Sequence, residues 1–236
     1  MRNYFVYDNK SSADFGLFIS GLDTWDAAEK DIENIEVPGR NGDLHIDKHR
    51  FKNQTIEYKK CFMRKDWETE FPKMCAFYSS RANKYYRLTD TYHAGQFRLA
   101  RYKSGLDNPK VGRNNQFGEI SMKFDCDPRR FLTAGETYIT ITTDTSMINP
   151  TAFPSKPLIE VTGFGTFTIN GKAITVNSHN YPVTMIDLET MMAYYQDENL
   201  NSNVSRLDQI QLNPGANPIV LGSGITLRIQ GRWWTI

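Results

Sequence analysis

The chain has 236 residues, which exceeds a typical domain of about 100–150 residues, so one large domain or two small ones fit. Hydrophobic residues make up 39% and aromatic residues 13%, enough to build a core and too much for an intrinsically disordered chain. The net charge of +1 is split between +4 over residues 1–135 and −3 over residues 136–236. This asymmetry favours two domains, and the mild positive charge of the first does not indicate nucleic-acid binding.

The N-terminal residues MRNYFVYDNKSS lack the apolar run of a signal peptide, and no stretch reaches the roughly 20 apolar residues of a membrane span. We therefore expect a protein that folds in a reducing cytoplasm and makes no membrane contact. Cys61, Cys75 and Cys126 are odd in number and far apart, which predicts buried free thiols rather than disulfides or a zinc site.

The first region is predicted to be mainly β. Short strands at 3–7 and 15–19 precede a charged stretch, Asp23 to Glu36, and a strand at 55–63 should place Ile56, Tyr58 and Phe62 on one face. Between them lies a dense turn signal, in which glycine supplies a positive φ and asparagine tolerates one. That turn consists of Val37, Pro38, Gly39, Arg40, Asn41 and Gly42.

A helix is predicted over Trp67 to Tyr78, because apolar residues recur there at the 3.6-residue period. Pro72 must lie in its first turn or kink it, and its apolar stripe should close the open face of a sheet. Further strands are predicted at 85–89, 96–102 and 118–125, the last with Ile120, Met122 and Phe124 on one face. Residues 103–115 form a long loop or an extended hairpin tip, and Asp127-Pro128 should end this unit.

From Tyr138 onward, short β runs recur about every dozen residues without a helical period, which is typical of an all-β sandwich. Asn170-Gly171 is a strong signal for a two-residue type I′ hairpin turn. We place the domain boundary at 135/136, so that residues 1–135 form a β-sandwich with one helix and an extended hairpin or loop, and residues 136–236 form a second sandwich.

No arrangement of residues predicts catalysis, a metal or a cofactor. His45 and His49 are four apart but not on a helix, and Asp125 and Asp127 are better explained as a turn with charge pairing. Neither a nucleophile elbow nor a phosphate-binding loop occurs. A glycosidase would need paired carboxylates, for which Glu160, Asp187 and Glu189 are the available residues, but nothing in their context singles them out.

A stripe of cations and aromatics near residues 97–113 has three interpretations. It could follow a nucleic-acid backbone, but Arg98 and Arg101 are three apart and so point to opposite faces of a strand. It could instead be a solvated edge that discourages strand pairing. The third interpretation is a loop, carrying Lys110 and Arg113, that faces a neighbouring copy or the lumen of an oligomer.

Two terminal segments resemble the distal tail proteins of long-tailed bacteriophages. The first carries Ser11, Ser12, Phe15 and Gly16 followed by the Val37–Gly42 turn, and the helix at 67–78 lies where that family has its helix. The second ends the chain with Asn213, Pro214, Gly215 and Asn217. These are turn signatures, and their order and spacing extend the resemblance over the whole chain.

The resemblance implies a β-sandwich with one helix and a protruding hairpin, followed by a galectin-like or carbohydrate-binding-module-like sandwich. It implies a ring of six copies at the distal end of the virion tail, joining the major tail tube protein to the baseplate hub and receptor-binding proteins. DNA would pass through the ring without specific binding, and no cofactor is implied. The charged segment Asp23 to Glu36 and the loop at 103–115 are the candidates for contact with a neighbouring copy.

Two alternatives remain open. The second sandwich could bind host glycans through exposed aromatic residues, for which Tyr194, Tyr195 and one of Trp233 and Trp234 are available; core packing of the same residues is the simpler explanation. A cell-wall hydrolase would use Glu160 or Asp187.

Overall fold

The computed structural model describes residues 2–21, 26–63, 66–103, 109–111, 118–205 and 207–236. The chain divides into two compact units, residues 1–130 together with Ile236, and residues 131–235. Each unit has its own hydrophobic core. Long antiparallel β-strands supply most of both cores, which confirms the mainly β prediction.

The first unit contains the helix α1, Trp67–Ser79, and most of its strands form one curled sheet. Its strands are β1 (Phe5–Tyr7), β2 (Lys10–Ser11), β3 (Leu17–Ser20), β4 (Lys30–Ile35), β5 (Leu44–Phe51), β6 (Gln54–Met63), β7 (Tyr86–Asp90), β8 (Gln96–Tyr102), β9 (Lys110–Val111) and β10 (Gly118–Leu132).

The curled sheet has the strand order β2-β1-β7-β8-β10-β6-β3, with β9 paired to β10. Its two ends come together where Asn3, just before β1, forms a bridge with Ile19 of β3, and the Ile19 amide donates to the Asn3 carbonyl at 2.9 Å. The concave face thereby surrounds a core instead of facing a second sheet.

Aromatic side chains fill that core. Phe5 stacks on Tyr58 with ring centroids 4.8 Å apart, and Phe124 meets Tyr7 at 5.1 Å. Tyr78 of α1 is fully buried among them, 5.7 Å from Tyr7. Edge-to-face and offset ring pairs of this kind are each worth about 0.5–1.5 kcal/mol beyond the area that they bury.

The predicted helix is present, and its apolar stripe packs as expected. Met74 and Tyr78 are fully buried, and Trp67 and Phe71 pack partly buried against the same core. Pro72 lies inside the helix rather than in its first turn, so it cannot donate a backbone hydrogen bond to the preceding turn. Packing of the stripe against the sheet compensates for this missing bond.

A β-bulge alters the predicted faces of β6. The register with β10 shifts between Ile120 and Met122, which pair with Cys61 and Tyr58, so β6 carries an extra residue there. Because side chains alternate along a strand, the extra residue moves Cys61 and Met63 into the core. Phe62 was expected on the face of Ile56 and Tyr58; that prediction is wrong, whereas Ile120, Met122 and Phe124 are buried together as predicted.

The serine motif near the N-terminus holds the first strands together. The buried Ser12 hydroxyl accepts from the Phe5 amide at 3.2 Å and donates to the Leu17 carbonyl at 3.0 Å, while Ser11 accepts from the Ala13 amide. Gly16 ends this short 3-10 turn with a φ of 71°. The motif that resembles the phage family is therefore a structural turn.

The second unit is built from two antiparallel sheets. The long sheet has the order β11-β20-β13-β16-β17-β18 and the short sheet has the order β12-β19-β14-β15. Their strands are β11 (Ile139–Ile141), β12 (Thr145–Asn149), β13 (Leu158–Thr162), β14 (Gly165–Ile169), β15 (Lys172–Val176), β16 (Thr184–Asp187), β17 (Met192–Tyr195), β18 (Glu198–Asn199), β19 (Gly215–Val220) and β20 (Thr226–Gln230). The last strand is β21 (Trp234–Thr235).

Aliphatic side chains from both sheets form the core of this unit. Ile159, Val161, Phe167, Ile174 and Leu227 are among its fully buried members. At the predicted hairpin, β14 and β15 are joined by Asn170 and Gly171 with φ values of 53° and 74°. Both residues adopt the left-handed conformation that a type I′ turn requires, so this prediction is confirmed.

One local prediction fails because proline does not end a strand here. Asp127-Pro128 was expected to close the first unit, yet both residues lie inside β10. Likewise Pro218 lies inside β19, a strand that the turn-rich segment Asn213–Asn217 concealed. Pairing with neighbouring strands outweighs the local tendency of proline to break a strand.

The C-terminal asparagine motif is a buried hydrogen-bonded lock. The fully buried Asn217 amide donates to the carbonyls of Met147, Asn213 and Gly215 at 3.2, 2.8 and 2.9 Å. Its oxygen accepts from the Asn213 amide and from the Asn170 side chain, both at 2.7 Å. One side chain thus connects β12, the Asn170 turn and the loop that contains Pro214.

We predict that Asn217→Ala lowers the free energy of unfolding by about 2–4 kcal/mol, because it leaves several buried backbone groups without partners. Chemical denaturation of the full chain measures the loss. Asn213→Ala is the matched control, since the Asn213 side chain accepts only from Gln211 in an exposed contact, and it should change stability by less than about 1 kcal/mol. Equal losses of unfolding free energy in the two variants would contradict this role of Asn217.

Candidate interaction surfaces

A separate hairpin in the first unit is formed by β4 and β5. These strands pair with each other and, among the described residues, with no other strand. The predicted turn forms its tip: Gly39 and Gly42 have φ values of 81° and 82°, and the Arg40 amide donates to the Val37 carbonyl at 3.1 Å. We call residues 30–51 the hairpin.

The hairpin exposes apolar side chains. Ile32, Ile35, Val37, Leu44 and Ile46 are each 38–44% exposed. Because paired residues of antiparallel strands point to the same side, the pairs Ile35↔Leu44 and Glu33↔Ile46 lie on one face. We call this the apolar face; the Asn34↔His45 and Ile32↔Asp47 pairs lie on the other.

Charges surround these apolar residues. Lys48 pairs with Glu33 at 3.0 Å beside Ile46, and Arg50 pairs with Asp31 at 2.7 Å near the base of the hairpin. Apolar side chains rimmed by charges, on strands with unpaired edges, are typical of a surface that binds another protein.

The loop at 103–115 is described only in part. Lys110 is exposed in β9, opposite Glu119 of β10, whereas Arg113 lies outside the described residues. The preceding arginines are separated as predicted: Arg98 is buried, and Arg101 on the opposite side of β8 pairs with Asp125 at 2.8 Å. These two arginines therefore do not form one continuous basic stripe.

On the second unit, the solvent-facing side of the long sheet carries a polar row. Register places Arg228 opposite Glu160, Glu160 opposite Met185, and Met185 opposite Tyr194. Arg228 donates to both Glu160 oxygens at 2.9 and 3.0 Å and lies over the Tyr138 ring at 4.6 Å. We call Tyr138, Arg228, Glu160 and Tyr194 the tyrosine–arginine row.

The other proposed glycan contacts do not join this row. Trp233 is 4% exposed in the core, so its assignment as a glycan contact is wrong. Tyr195 points away from Tyr194, because neighbouring strand residues alternate, and it stacks on Tyr181 at 5.2 Å against the core. Trp234 stacks on Phe153 at 4.5 Å and donates to the Pro154 carbonyl.

Two of the carboxylates considered for hydrolysis, Glu160 and Asp187, are engaged in ion pairs with Arg228 and Arg232. Asp187 accepts from Arg232 at 2.7 and 3.0 Å and from the Glu189 amide at 2.9 Å. Burial alone would raise the pKa of Asp187, but the hydrogen bonds from Arg232 outweigh it and hold that pKa below its usual range. A lowered pKa suits a structural ion pair and not a general acid at neutral pH.

Two of the histidines contact single polar side chains. His45 pairs with Asn34 at 2.6 Å in the hairpin, and His179 contacts Thr184 at 2.7 Å. In the described part of the chain, no cluster of three or more His, Cys, Asp or Glu side chains is arranged to hold a metal ion. Within the same residues, no helix has the length and apolar character needed to cross a membrane.

Sequence reasoning identified only the first strand of the hairpin as a candidate interface, within the charged segment Asp23 to Glu36, and missed its apolar face. The signal was present in the apolar residues Ile32 and Ile35 before the turn and Leu44 and Ile46 after it. The charged residues between them made the segment before the turn read as a charged stretch, and the long loop at 103–115 was considered instead as the hairpin tip.

Comparison with known proteins gives a match in structure alone. No protein-family model matches the chain, and no curated protein matches it in sequence. The chain is similar to the SPP1 Dit (gp 19.1) protein, described as a paradigm of the hub adsorption apparatus in phages that infect Gram-positive bacteria. The TM-score is 0.76 at 13% sequence identity, and the match covers 100% of both chains. The chain therefore has the fold of a phage distal tail protein over its whole length.

Proposed function

We propose that the chain is the structural hub of a long-tailed phage tail tip. The observation that carries this proposal is the full-length fold match to a hub protein, which includes both units and leaves no part of either chain unmatched. Turn motifs at both ends support it, since Ser12 and Asn217 lock strands together instead of forming a reactive site.

In this proposal, six copies form a ring that links the tail tube to the baseplate and host-adhesion proteins and lets DNA pass. A ring needs a heterologous contact, in which one surface of each copy binds a different surface of the next. The hairpin is proposed as one of these two surfaces. Its exposed apolar face, and its strand edges that are unpaired among the described residues, gain most from burial against a neighbouring copy. Lys110, exposed in β9, remains a proposed contact with the neighbour or the lumen.

We predict that Leu44→Glu combined with Ile46→Glu prevents ring assembly, because two carboxylates would have to be buried on the apolar face. Native mass spectrometry and light scattering of the full chain should show a six-copy species for the wild type and monomers for the double variant. Both side chains are already partly exposed, so the melting temperature of the monomer should change little.

His45→Glu is the matched control, since His45 lies between the two substituted residues and points to the other face. It adds one negative charge to the same strand, against two in the double variant, and should leave the six-copy species intact. Assembly of the double variant at the wild-type concentration would show that the apolar face is not the interface. A wild type that stays monomeric at every concentration would contradict the ring itself.

A second function, glycan binding by the second unit, is supported by the tyrosine–arginine row. Sugars are bound by aromatic rings that stack on their apolar faces and by fixed charged hydrogen-bonding groups beside them. Tyr138 and Tyr194 supply such rings, and the Arg228–Glu160 pair supplies donors and acceptors between them.

If the row binds a glycan, Tyr194→Ala should weaken the affinity about tenfold through loss of ring contact. A bacterial surface-glycan array followed by calorimetry on the full chain measures this. Tyr195→Phe, next to it but packed toward the core, should bind as the wild type does. Absence of any glycan binding would leave the hub role alone.

A further inference from the structure

A small cavity in the first unit is lined by charged side chains that no proposed function uses. Tyr58, Asp90, His93, Gln96, Arg98 and Arg130 line it. It provides about 10 Å³, enough for about one water-sized atom. We call it the arginine cavity. Its lining comes from β6, β7, the turn before β8, β8 itself and β10, so it exists only once the curled sheet has folded.

The arginine cavity has a positive charge balance. Arg98 and Arg130 are 7% and 6% exposed, and Asp90 is the acidic residue in its lining. The oxygens of Asp90 already accept from the Tyr58 hydroxyl at 2.8 Å and from His93 Nδ1 at 2.7 Å, as well as from backbone amides. The single carboxylate of the lining therefore already has several hydrogen-bond donors, and no bond from it to Arg98 is among its contacts.

Arg98 has a donor that is not used in the described part of the chain. Its Nη1 donates to Gln54 at 3.1 Å, whereas its Nη2 is buried and has no hydrogen-bond partner among the described residues. Burial lowers the pKa of Arg98, and the nearby charge of Arg130 lowers it further. A buried guanidinium in such surroundings is costly unless an anion compensates it.

We propose that the arginine cavity binds a chloride ion, held by Arg98 with Arg130 at its side. Its free volume is that of about one water-sized atom, smaller than phosphate or sulfate, and a monatomic anion also suits the net positive charge of the lining. The ion would tie β8 to the end of β10. Its role in stabilising the first unit is independent of ring formation and of the partners of the hub.

Crystals of the full chain soaked in sodium bromide provide a direct test. At the bromine absorption edge, an anomalous difference peak should lie within hydrogen-bond distance of Arg98 Nη2. Bromide peaks confined to exposed lysines and arginines, or a water molecule in the cavity, would overturn the proposal.

Stability in solution gives a second test. Sulfate normally stabilises folded proteins through exclusion from their surface. Bound chloride adds a stabilisation that sulfate cannot supply, so replacing sulfate with chloride at equal ionic strength should change the melting temperature of the wild type about 2–5 °C more favourably than that of Arg98→Met. Equal changes in the two proteins would contradict chloride binding.

Arg98→Met keeps the length of the side chain and removes its charge, so it should abolish both the bromide peak and the chloride-dependent shift. Arg101→Met is the matched control on the same strand, because Arg101 is half exposed and lies on the opposite side of β8. It should retain both signals. A chloride-dependent shift that persists in Arg98→Met would assign the effect to another site.

Discussion

The packing of aromatic rings inside the curled sheet is the interaction on which the rest of the first unit depends. Phe5, Tyr58 and Phe124 come from β1, β6 and β10, which are far apart in the chain, and Tyr78 covers them from α1. Burial of these rings favours a curled sheet. The curl brings Asn3 next to Ile19, where the two ends of the sheet meet. The core is complete without β4 and β5. The hairpin is therefore free to serve an interface instead of the fold.

The two units form their hydrophobic cores from different kinds of side chain. The first core is aromatic and sealed by a helix, whereas the second is mostly aliphatic and formed between two sheets. Polar side chains complete both: Ser12 joins β1 to the turn before β3, and Asn217 joins three segments of the second unit. Buried polar groups whose hydrogen bonds are satisfied hold the loops in one arrangement. A subunit of an ordered assembly needs loops of fixed conformation.

Much of the fold follows from local sequence, because helix period, strand alternation and turn chemistry act over a few residues. The helix at Trp67, the buried face of Ile120 to Phe124 and the Asn170-Gly171 turn are of this kind. The remainder depends on distant partners. Phe62 turns outward because β10 imposes a bulge on β6, and Pro218 is accepted in a strand because β12 and β14 pair with it. The arginine cavity collects residues from β6, β7, the turn before β8, β8 and β10, so no local sequence pattern predicts it.

The paired residues of the hairpin are close together in the sequence, so the hairpin forms early in folding. Its contacts join residues close together in the chain, and hairpins of this type form in about 1–10 μs. Pairing of β6 with β10 must close a much longer loop and is slower. A newly made chain thus presents Leu44 and Ile46 before its core is finished. Charges flanking an exposed apolar strand oppose its pairing with other chains, and Lys48 and Glu33 occupy such flanking positions here.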